Sequence, residues 1–203
     1  MKKNILIILL FINSFSYGQF NISAGMGLHF FSANDLKSYL ERGFAFTDQM
    51  NTFNTSADFF AEFGFLMKEN LQIGIDYTYN IYSFNSNSIS GSYDIYIDNH
   101  KPSLMVYYVI PGKGYAFKFG GGIGLRTAFV EEQLMGLGTK YSTSGFGILL
   151  KAQGDTKLGG NFYALISGEI RYDAPGEITT VNNGYINFTT FGVTLKLGTI
   201  YYF

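Results

Sequence analysis

The residues of this chain that could do catalytic chemistry are two histidines and the serines near them. In the usual arrangement for acyl transfer and hydrolysis, a histidine activates a serine, and an acid orients the histidine. His29 precedes Ser32 and His100 precedes Ser103, each by three residues. Side chains three apart on a β-strand face opposite sides, so a nucleophile would have to come from a neighbouring strand. We therefore predict that the protein is not an enzyme.

Composition limits the other kinds of chemistry. The 203-residue chain has no Cys, which excludes disulfides, thiolate metal sites and thiol catalysis. Two histidines in separate segments are too few for a metal site, and we predict neither a metal nor a cofactor. The glycine-rich run Gly120–Gly124 is followed by no helix, so we interpret it as strand rather than as a phosphate loop. A formal net charge of −1 argues against binding nucleic acid by neutralising phosphates.

Charged side chains at alternate positions of apolar segments are the remaining candidates for a site. Five acids and five bases share one face of the segments, while large apolar residues share the other. The ten residues are Asp58, Glu62, Asp76, Lys118, Arg126, Lys151, Glu169, Arg171, Asp173 and Lys196.

Eight segments of alternating polarity must position these residues. The segments are 20–31, 57–67, 71–81, 93–110, 115–129, 141–153, 162–173 and 191–203. The fourth segment changes phase near Pro102, which predicts a bend or bulge there. An even number of strands is typical of a closed antiparallel barrel. The sequence therefore predicts an all-β fold, an eight-stranded up-and-down transmembrane barrel over 19–203.

The connections between the segments alternate in length. Three are short and rich in turn residues: 68–70, 111–114 and 154–161. Four are longer or more polar: 32–56, 85–91, 131–138 and 174–185. We expect the short turns on the periplasmic side. The first long loop has a helical pattern over Asp35–Arg42, with Ser32 or Asn34 as the cap and Gly43 as the end.

The first 18 residues have the pattern of an export signal. Two lysines precede an unbroken apolar run over 5–12, and small residues stand at Ser16 and Gly18. We predict a secretory signal peptide over 1–18, cleaved between Gly18 and Gln19. The apolar run is much shorter than the roughly 20 residues that a membrane-spanning helix needs.

The apolar faces could line a soluble sandwich or barrel, or they could face lipid. Charged residues are 14% of the chain and aromatic residues 18%, whereas about 25% charged residues is usual in soluble domains. The opposite faces are mostly Gly, Ser and Thr, with too few charges for a soluble surface. Aromatic residues also cluster near the strand ends, as in the girdles of membrane barrels. We therefore predict that the apolar faces meet lipid.

Four features carry a family resemblance: the signal peptide, the alternating segments, the glycine-rich hairpin over 111–124 and the final strand over 191–203. In these the chain resembles small bacterial outer-membrane β-barrels, of the OmpX-like and OmpW-like kind and of the Bacteroidetes outer membrane beta-barrel families. The resemblance implies a monomer in the bacterial outer membrane, surrounded by lipid and lipopolysaccharide and inserted by the barrel-assembly machinery. It also implies an assembly signal at Leu195, Leu197, Tyr201 and Phe203, from which Thr199 departs.

If the apolar faces meet lipid, the ten charged residues line the lumen. An eight-stranded barrel is just wide enough for side chains to fill it, and buried ions require partners. The sequence thus predicts a salt-bridged, largely plugged lumen and a structural or surface-interaction role through loops 32–56 and 174–185. A narrow channel for small or hydrophobic solutes, as in OmpW-like proteins, is the alternative. A lipid-modifying enzyme is a more remote one. No feature of the sequence identifies a surface partner.

Overall fold

The computed structural model describes residues 19–43, 54–88, 91–134, 137–179 and 185–203. The predicted signal peptide, over residues 1–18, lies outside the described residues. The described elements are β1 (Gln19–Ser32), α1 (Asn34–Gly43), β2 (Asn54–Lys68), β3 (Leu71–Ser88), β4 (Gly91–Gly112), β5 (Tyr115–Leu134), β6 (Leu137–Gly159), β7 (Phe162–Ala174), β8 (Glu177–Thr179), β9 (Tyr185–Asn187) and β10 (Thr190–Tyr202).

Eight of the strands close into one antiparallel barrel, which confirms the predicted fold class. The ring order is β1, β2, β3, β4, β5, β6, β7 and β10, with β10 hydrogen-bonded to β1. The closing pair runs from Asn21–Tyr202 to Ser32–Phe191, so the first and last strands have no free edge in this stretch. The short strands β8 and β9 form a separate hairpin between β7 and β10.

The barrel wall has an apolar exterior and an interior that is mainly polar, with two small buried apolar clusters around Met105 and Phe60. Ile75, Leu104 and Ile123 point outward and are 57%, 64% and 65% exposed, whereas Asp76 and Ser103 point inward and are buried. Each Å² of apolar surface left in water costs about 25 cal/mol, so a band of this kind is stable only against lipid. In the described part of the chain, no helix is long and apolar enough to span a membrane.

The predicted bend at Pro102 is wrong. The pairing of β4 with β3 is continuous from Leu71–Tyr108 to Ser88–Gly91, without a shift of register. The ladder to β5 omits Lys101 and Pro102 but resumes in the same register. The inner face of β4 is apolar near the outer end of the strand and polar at its middle. In the sequence, this change of polarity has the same pattern of apolar and polar residues as a shift in the alternation.

Two of the predicted long loops are also wrong, because the strands continue through them. β3 and β4 are separated by residues 89–90 alone, and β5 and β6 by residues 135–136. The third short turn is likewise shorter than 154–161, since β6 runs to Gly159. Strands β3 to β6 therefore have 18 to 23 residues, against 13 or 14 in β1, β7 and β10. They project beyond the rest of the barrel on the long-loop side.

An apolar cluster fills the inside of this projection, and we call it the outer cap. It contains Phe31, Ala33, Leu36, Tyr82, Tyr93, Ile95, Ile97, Val130, Ile178, Ile186 and Phe188. Helix α1 contributes Leu36, which is fully buried, and the β8–β9 hairpin contributes two isoleucines. Tyr39 of α1 and Tyr93 of β4 both donate to Glu132 Oε1, at 3.1 and 2.8 Å. The predicted helix is thus present, although Ala33 precedes its first residue in place of the expected Ser or Asn cap.

Candidate functional site

The ten charged side chains singled out in the sequence all lie inside the barrel, each no more than 3% exposed. Strict alternation along six strands directs them inward, because neighbouring positions on a strand face opposite sides. Two further charged residues, Lys101 and Asp155, lie with them and were missed by the sequence analysis. The assumed bend at Pro102 concealed Lys101, and the assumed turn at Gly154 concealed Asp155. Continuing the alternation through both places would have found them.

Among the described residues the lumen therefore holds six acids and six bases, and all of them except Asp58 belong to three groups. The group nearest the short turns is built around Asp155. Lys118 Nζ lies 3.2 Å from Asp155 Oδ2, and the Tyr202 hydroxyl donates to the same oxygen at 2.7 Å. Gln153 Nε2 donates to Asp155 Oδ1 at 2.8 Å. Every side-chain oxygen of this buried acid thus has a donor.

The central group ties opposite walls of the barrel together. Lys151 Nζ on β6 donates to Glu62 Oε2 on β2 at 2.8 Å, and Arg171 Nη2 on β7 lies 3.4 Å from Asp76 Oδ1 on β3. In the ring of eight, β2 and β6 are four places apart, as are β3 and β7. Both ion pairs consequently cross the full width of the lumen.

Further contacts join the central group into one network. Glu169 Oε2 accepts from Arg171 Nε at 2.8 Å, and Glu169 Oε1 lies 2.8 Å from Lys196 Nζ. The Tyr107 hydroxyl donates to Glu62 Oε2 at 2.6 Å. These groups are inaccessible to solvent, and charges in such a place are stable only when they are paired and hydrogen-bonded.

The outer group is centred on Asp173. Lys101 Nζ lies 3.0 Å from Asp173 Oδ2, and Arg126 Nε donates to Asp173 Oδ1. Arg126 Nη1 also donates to Ser103 Oγ at 3.1 Å and to the Pro102 carbonyl at 3.2 Å. The carbonyl and the hydroxyl hold the guanidinium in a fixed position against the acid.

Asp58 is the exception among the lumenal charges. It is fully buried, and Asn80 Nδ2 donates to its Oδ1 at 2.6 Å. Within the described residues, no Lys or Arg nitrogen comes within 4.0 Å of it. Nearby, His29 Nδ1 and Thr194 Oγ1 are 2.7 Å apart. Asp58 is therefore held by an amide rather than by an ion pair.

Little space remains between the outer group and the outer cap. A cavity of about 30 Å³ lies there, with a polar floor and an apolar roof. Its floor includes His29, Asn80, Lys101, Arg126 and Asp173, and its roof includes Phe31, Leu36, Tyr82, Ile97 and Phe188. One water needs about 10–15 Å³ of such space. The cavity has room for a few waters and for no larger solute.

The two histidines lie on opposite sides of the barrel wall. His29 is buried in the lumen, whereas His100 faces outward and its Nδ1 lies 2.6 Å from the Tyr77 hydroxyl. Ser103 points inward, away from His100, as the strand period requires. Among the residues described, no three His, Asp or Glu side chains are placed to hold a metal ion.

The residues of the predicted assembly signal lie on the lipid-facing side of β10. Leu195, Leu197 and Phe203 are 59%, 62% and 66% exposed, and the ring of Tyr201 lies 4.9 Å from that of Phe203. The Phe203 amide donates to the Phe20 carbonyl at 2.9 Å, which fixes the chain end at the seam with β1.

No protein-family model matches the sequence, and no curated protein matches it. Among solved structures, the chain is similar to Ail of Yersinia pestis, at 13% identity and a TM-score of 0.57, over 92% of this chain and 99% of that one. It is similar to Neisserial surface protein A, at 14% identity and a TM-score of 0.56, over 91% and 97% of the two chains. OprG of Pseudomonas aeruginosa is 12% identical with a TM-score of 0.52, over 92% and 96%. The fold is that of small bacterial outer-membrane β-barrel proteins.

Proposed function

We propose that this protein is an integral barrel of a bacterial outer membrane whose lumen is sealed by ion pairs. Its role is structural or surface-directed, through the outer cap and the projecting strands. The observation that carries this proposal is the pair of bonds across the full lumen, Glu62–Lys151 and Asp76–Arg171. Removing one member of a buried ion pair costs about 3–5 kcal/mol, so a path for solutes would require several such losses at once.

The alternative function, a narrow channel, requires the three charged groups to separate. It also requires the apolar cap above them to move, because the cavity between cap and charges holds no more than a few waters. The balance of six acids and six bases gives the lumen no preference for either sign of ion. A filled, neutral lumen fits a plug better than a selective pore.

The protein is not proposed as an enzyme. His29 and His100 are separated by the barrel wall, and each has its Nδ1 beside a hydroxyl group, of Thr194 and of Tyr77. Within the described residues, neither imidazole is hydrogen-bonded to a serine; Ser56, which is paired with His29 in register, donates to the His29 carbonyl instead. A triad that acts on lipid would need imidazole, nucleophile and acid together on the lipid-facing side.

The charge of the outer region of this chain does not suit the ligand of one protein with a similar fold. Ail of Yersinia pestis has been solved in complex with the heparin analogue sucrose octasulfate, which is strongly anionic. The described outer region of this chain is acidic. Its acids are Asp35, Glu41, Asp94, Asp98, Glu131, Glu132 and Glu177, and its bases are Lys37, Arg42 and Lys140. We therefore do not propose a sulfated ligand for this chain.

Swelling of proteoliposomes in isotonic arabinose tests the sealed lumen. Vesicles with the refolded mature protein should swell no faster than empty vesicles, whereas vesicles with a general porin should swell quickly. Heat-dependent mobility on gels verifies insertion in the same samples. Swelling that rises with the amount of folded protein would contradict the sealed lumen and support the channel function.

The assembly signal is a second part of the proposal. Phe203 ends the strand that closes the barrel, with its ring outward and its amide bonded to β1. Replacing Phe203 with Ala should lower the level of folded protein in the outer membrane, and Phe191→Ala, at the other end of the same strand, should not. Equal levels of the two variants in the outer membrane would show that Phe203 is not part of an assembly signal.

A further inference from the structure

The lipid-facing wall of strands β3 to β7 and β10 contains a groove, which we call the wall groove. It consists of two adjoining depressions of about 520 and 640 Å³ that share Leu104, Ile123 and Ile148. The smaller depression is also lined by Ile75, Pro102, Leu125 and Phe146, and the larger one by Val106, Gly121, Leu150, Ile170, Tyr172 and Phe191. These volumes lie in the range of small-molecule sites.

A missing side chain contributes to the larger depression of the groove. Gly121 faces outward and is paired in register with Val106 on one side and Leu150 on the other. A Cβ at this position would lie 3.2 Å from Leu150 Cδ2 and 3.3 Å from the Leu149 carbonyl oxygen. A larger side chain here would fill the groove, and it would press on the flexible end of Leu150 and on the backbone carbonyl of Leu149.

A polar group stands at the outer end of the groove. Pro102 and Ile75 line the groove, and the next outward residues on their strands are His100 and Tyr77, about 6–7 Å further along. The Tyr77 hydroxyl lies 2.6 Å from His100 Nδ1, and the imidazole ring also contacts Tyr79 at 5.1 Å between centroids. These contacts fix the ring and leave Nε2 as the nitrogen that Tyr77 does not engage.

Hydroxyl groups extend this polar end on the neighbouring strands. Thr127 is paired with His100 in register and lies 3.1 Å, oxygen to oxygen, from Ser144. Beyond His100, the outward residues of β4 are Asp98, Tyr96 and Asp94, whereas on the other side they are apolar. His100 therefore marks the boundary between lipid tails and head groups, and the wall groove begins just inside it.

We propose that the wall groove is a specific lipid site, which holds an acyl chain of an outer-leaflet lipid while His100 bonds to the ester or hydroxyl oxygen of the same molecule. The occupant comes from the bilayer because the groove is continuous with the lipid-facing surface and opens onto nothing else. The polar end offers an imidazole and hydroxyl groups, which suit ester carbonyls and glycerol or sugar hydroxyls. This inference is independent of whether the lumen is sealed.

Lipid retention measured by native mass spectrometry tests the proposal. The mature protein is released from phosphatidylethanolamine nanodiscs that also contain lipid A, the acylated anchor of lipopolysaccharide, into a mild detergent, and bound lipid A is counted. The wild type should retain one lipid per barrel. Gly121→Leu, which fills the groove, should reduce retention about tenfold, since a lost contact worth about 1.4 kcal/mol has that effect. His100→Phe keeps an aromatic ring but loses the hydrogen bond, and retention should fall by a similar factor.

Gly168→Leu is the matched control. Gly168 also faces lipid, and a Cβ there meets only Leu195 Cδ2, at 3.9 Å, outside the groove. This variant should retain lipid as the wild type does. Equal retention in the wild type, Gly121→Leu and His100→Phe would overturn the proposal, as would the loss of lipid in Gly168→Leu alone. If Gly121→Leu does not fold, His100→Phe and Gly168→Leu still test the proposal, because only His100→Phe should lose bound lipid and equal retention in the two variants would overturn it.

Discussion

The membrane-embedded lumen and the outer cap are built on the same strands with opposite polarity. Along β4, the inward residues Ile95 and Ile97 are apolar in the cap, and inward Lys101 is charged in the lumen. The outward residues change in the opposite sense, from Asp98 in the projecting part to Leu104 in the wall. Each stretch of strand directs its apolar side away from water, so the cap has an apolar inside and the barrel an apolar outside. The inward residues change between Ile97 and Asn99 and the outward ones between His100 and Pro102, from which we infer that the membrane boundary lies near His100.

This inversion explains what could and could not be predicted from the sequence. The period of two is a local property, so it placed all ten chosen charges on the correct side of the wall. When the apolar side of a strand changes from inside to outside, the sequence has the same pattern of apolar and polar residues as a strand whose alternation shifts by one residue. For this reason the sequence predicts a bend at Pro102. The sequence alone cannot distinguish the two cases, because the distinction depends on where the membrane ends.

The pairing of the charges was beyond prediction for a different reason. Glu62 and Lys151 are 89 residues apart and meet only because the ring places β2 opposite β6. Such a contact is fixed by the closure of the barrel and by the register of every intervening strand. Local alternation carries no information about either.

The largest effect is expected from breaking the lumenal network. Replacing Arg171 with Met leaves Asp76 and Glu169 without this partner, and the free energy of unfolding in urea should fall by about 3–5 kcal/mol. The adjacent, lipid-facing change Ile170→Met is the control and should cost less than about 1.5 kcal/mol, because it conserves volume. Similar losses in both variants would mean that the network does not stabilise the barrel.

A charge placed on the outward face tests the boundary itself. Ile75→Arg puts a cation against lipid near the middle of the wall and should lower the free energy of unfolding by about 2–4 kcal/mol. Tyr96→Arg makes the same addition to an outward position beyond the boundary and should change stability by less than about 0.5 kcal/mol. A large loss at Tyr96 would place the boundary further out than His100.

The smallest effect is expected in the cap. Tyr39→Phe removes one of the two tyrosine hydrogen bonds to Glu132 and should weaken the attachment of α1 by about 1 kcal/mol. Hydrogen exchange of the Lys37 amide, which donates to the Ala33 carbonyl at 3.0 Å, measures this locally. Faster exchange at Lys37 with unchanged exchange in the wall strands is the expected result. Unchanged exchange at Lys37 would show that Tyr39 does not hold the helix.

Single-channel recording in a planar bilayer tests the sealed lumen most directly. The wild-type barrel, with insertion verified separately, should be silent. The double variant Glu62→Ala, Lys151→Ala removes one bond across the lumen and should also be silent, because the Asp76–Arg171 pair and the outer cap remain. Phe63→Ala with Leu150→Ala alters the adjacent lipid-facing positions on the same strands and should stay silent. Steady openings of uniform size in the wild type would contradict a lumen sealed by ion pairs.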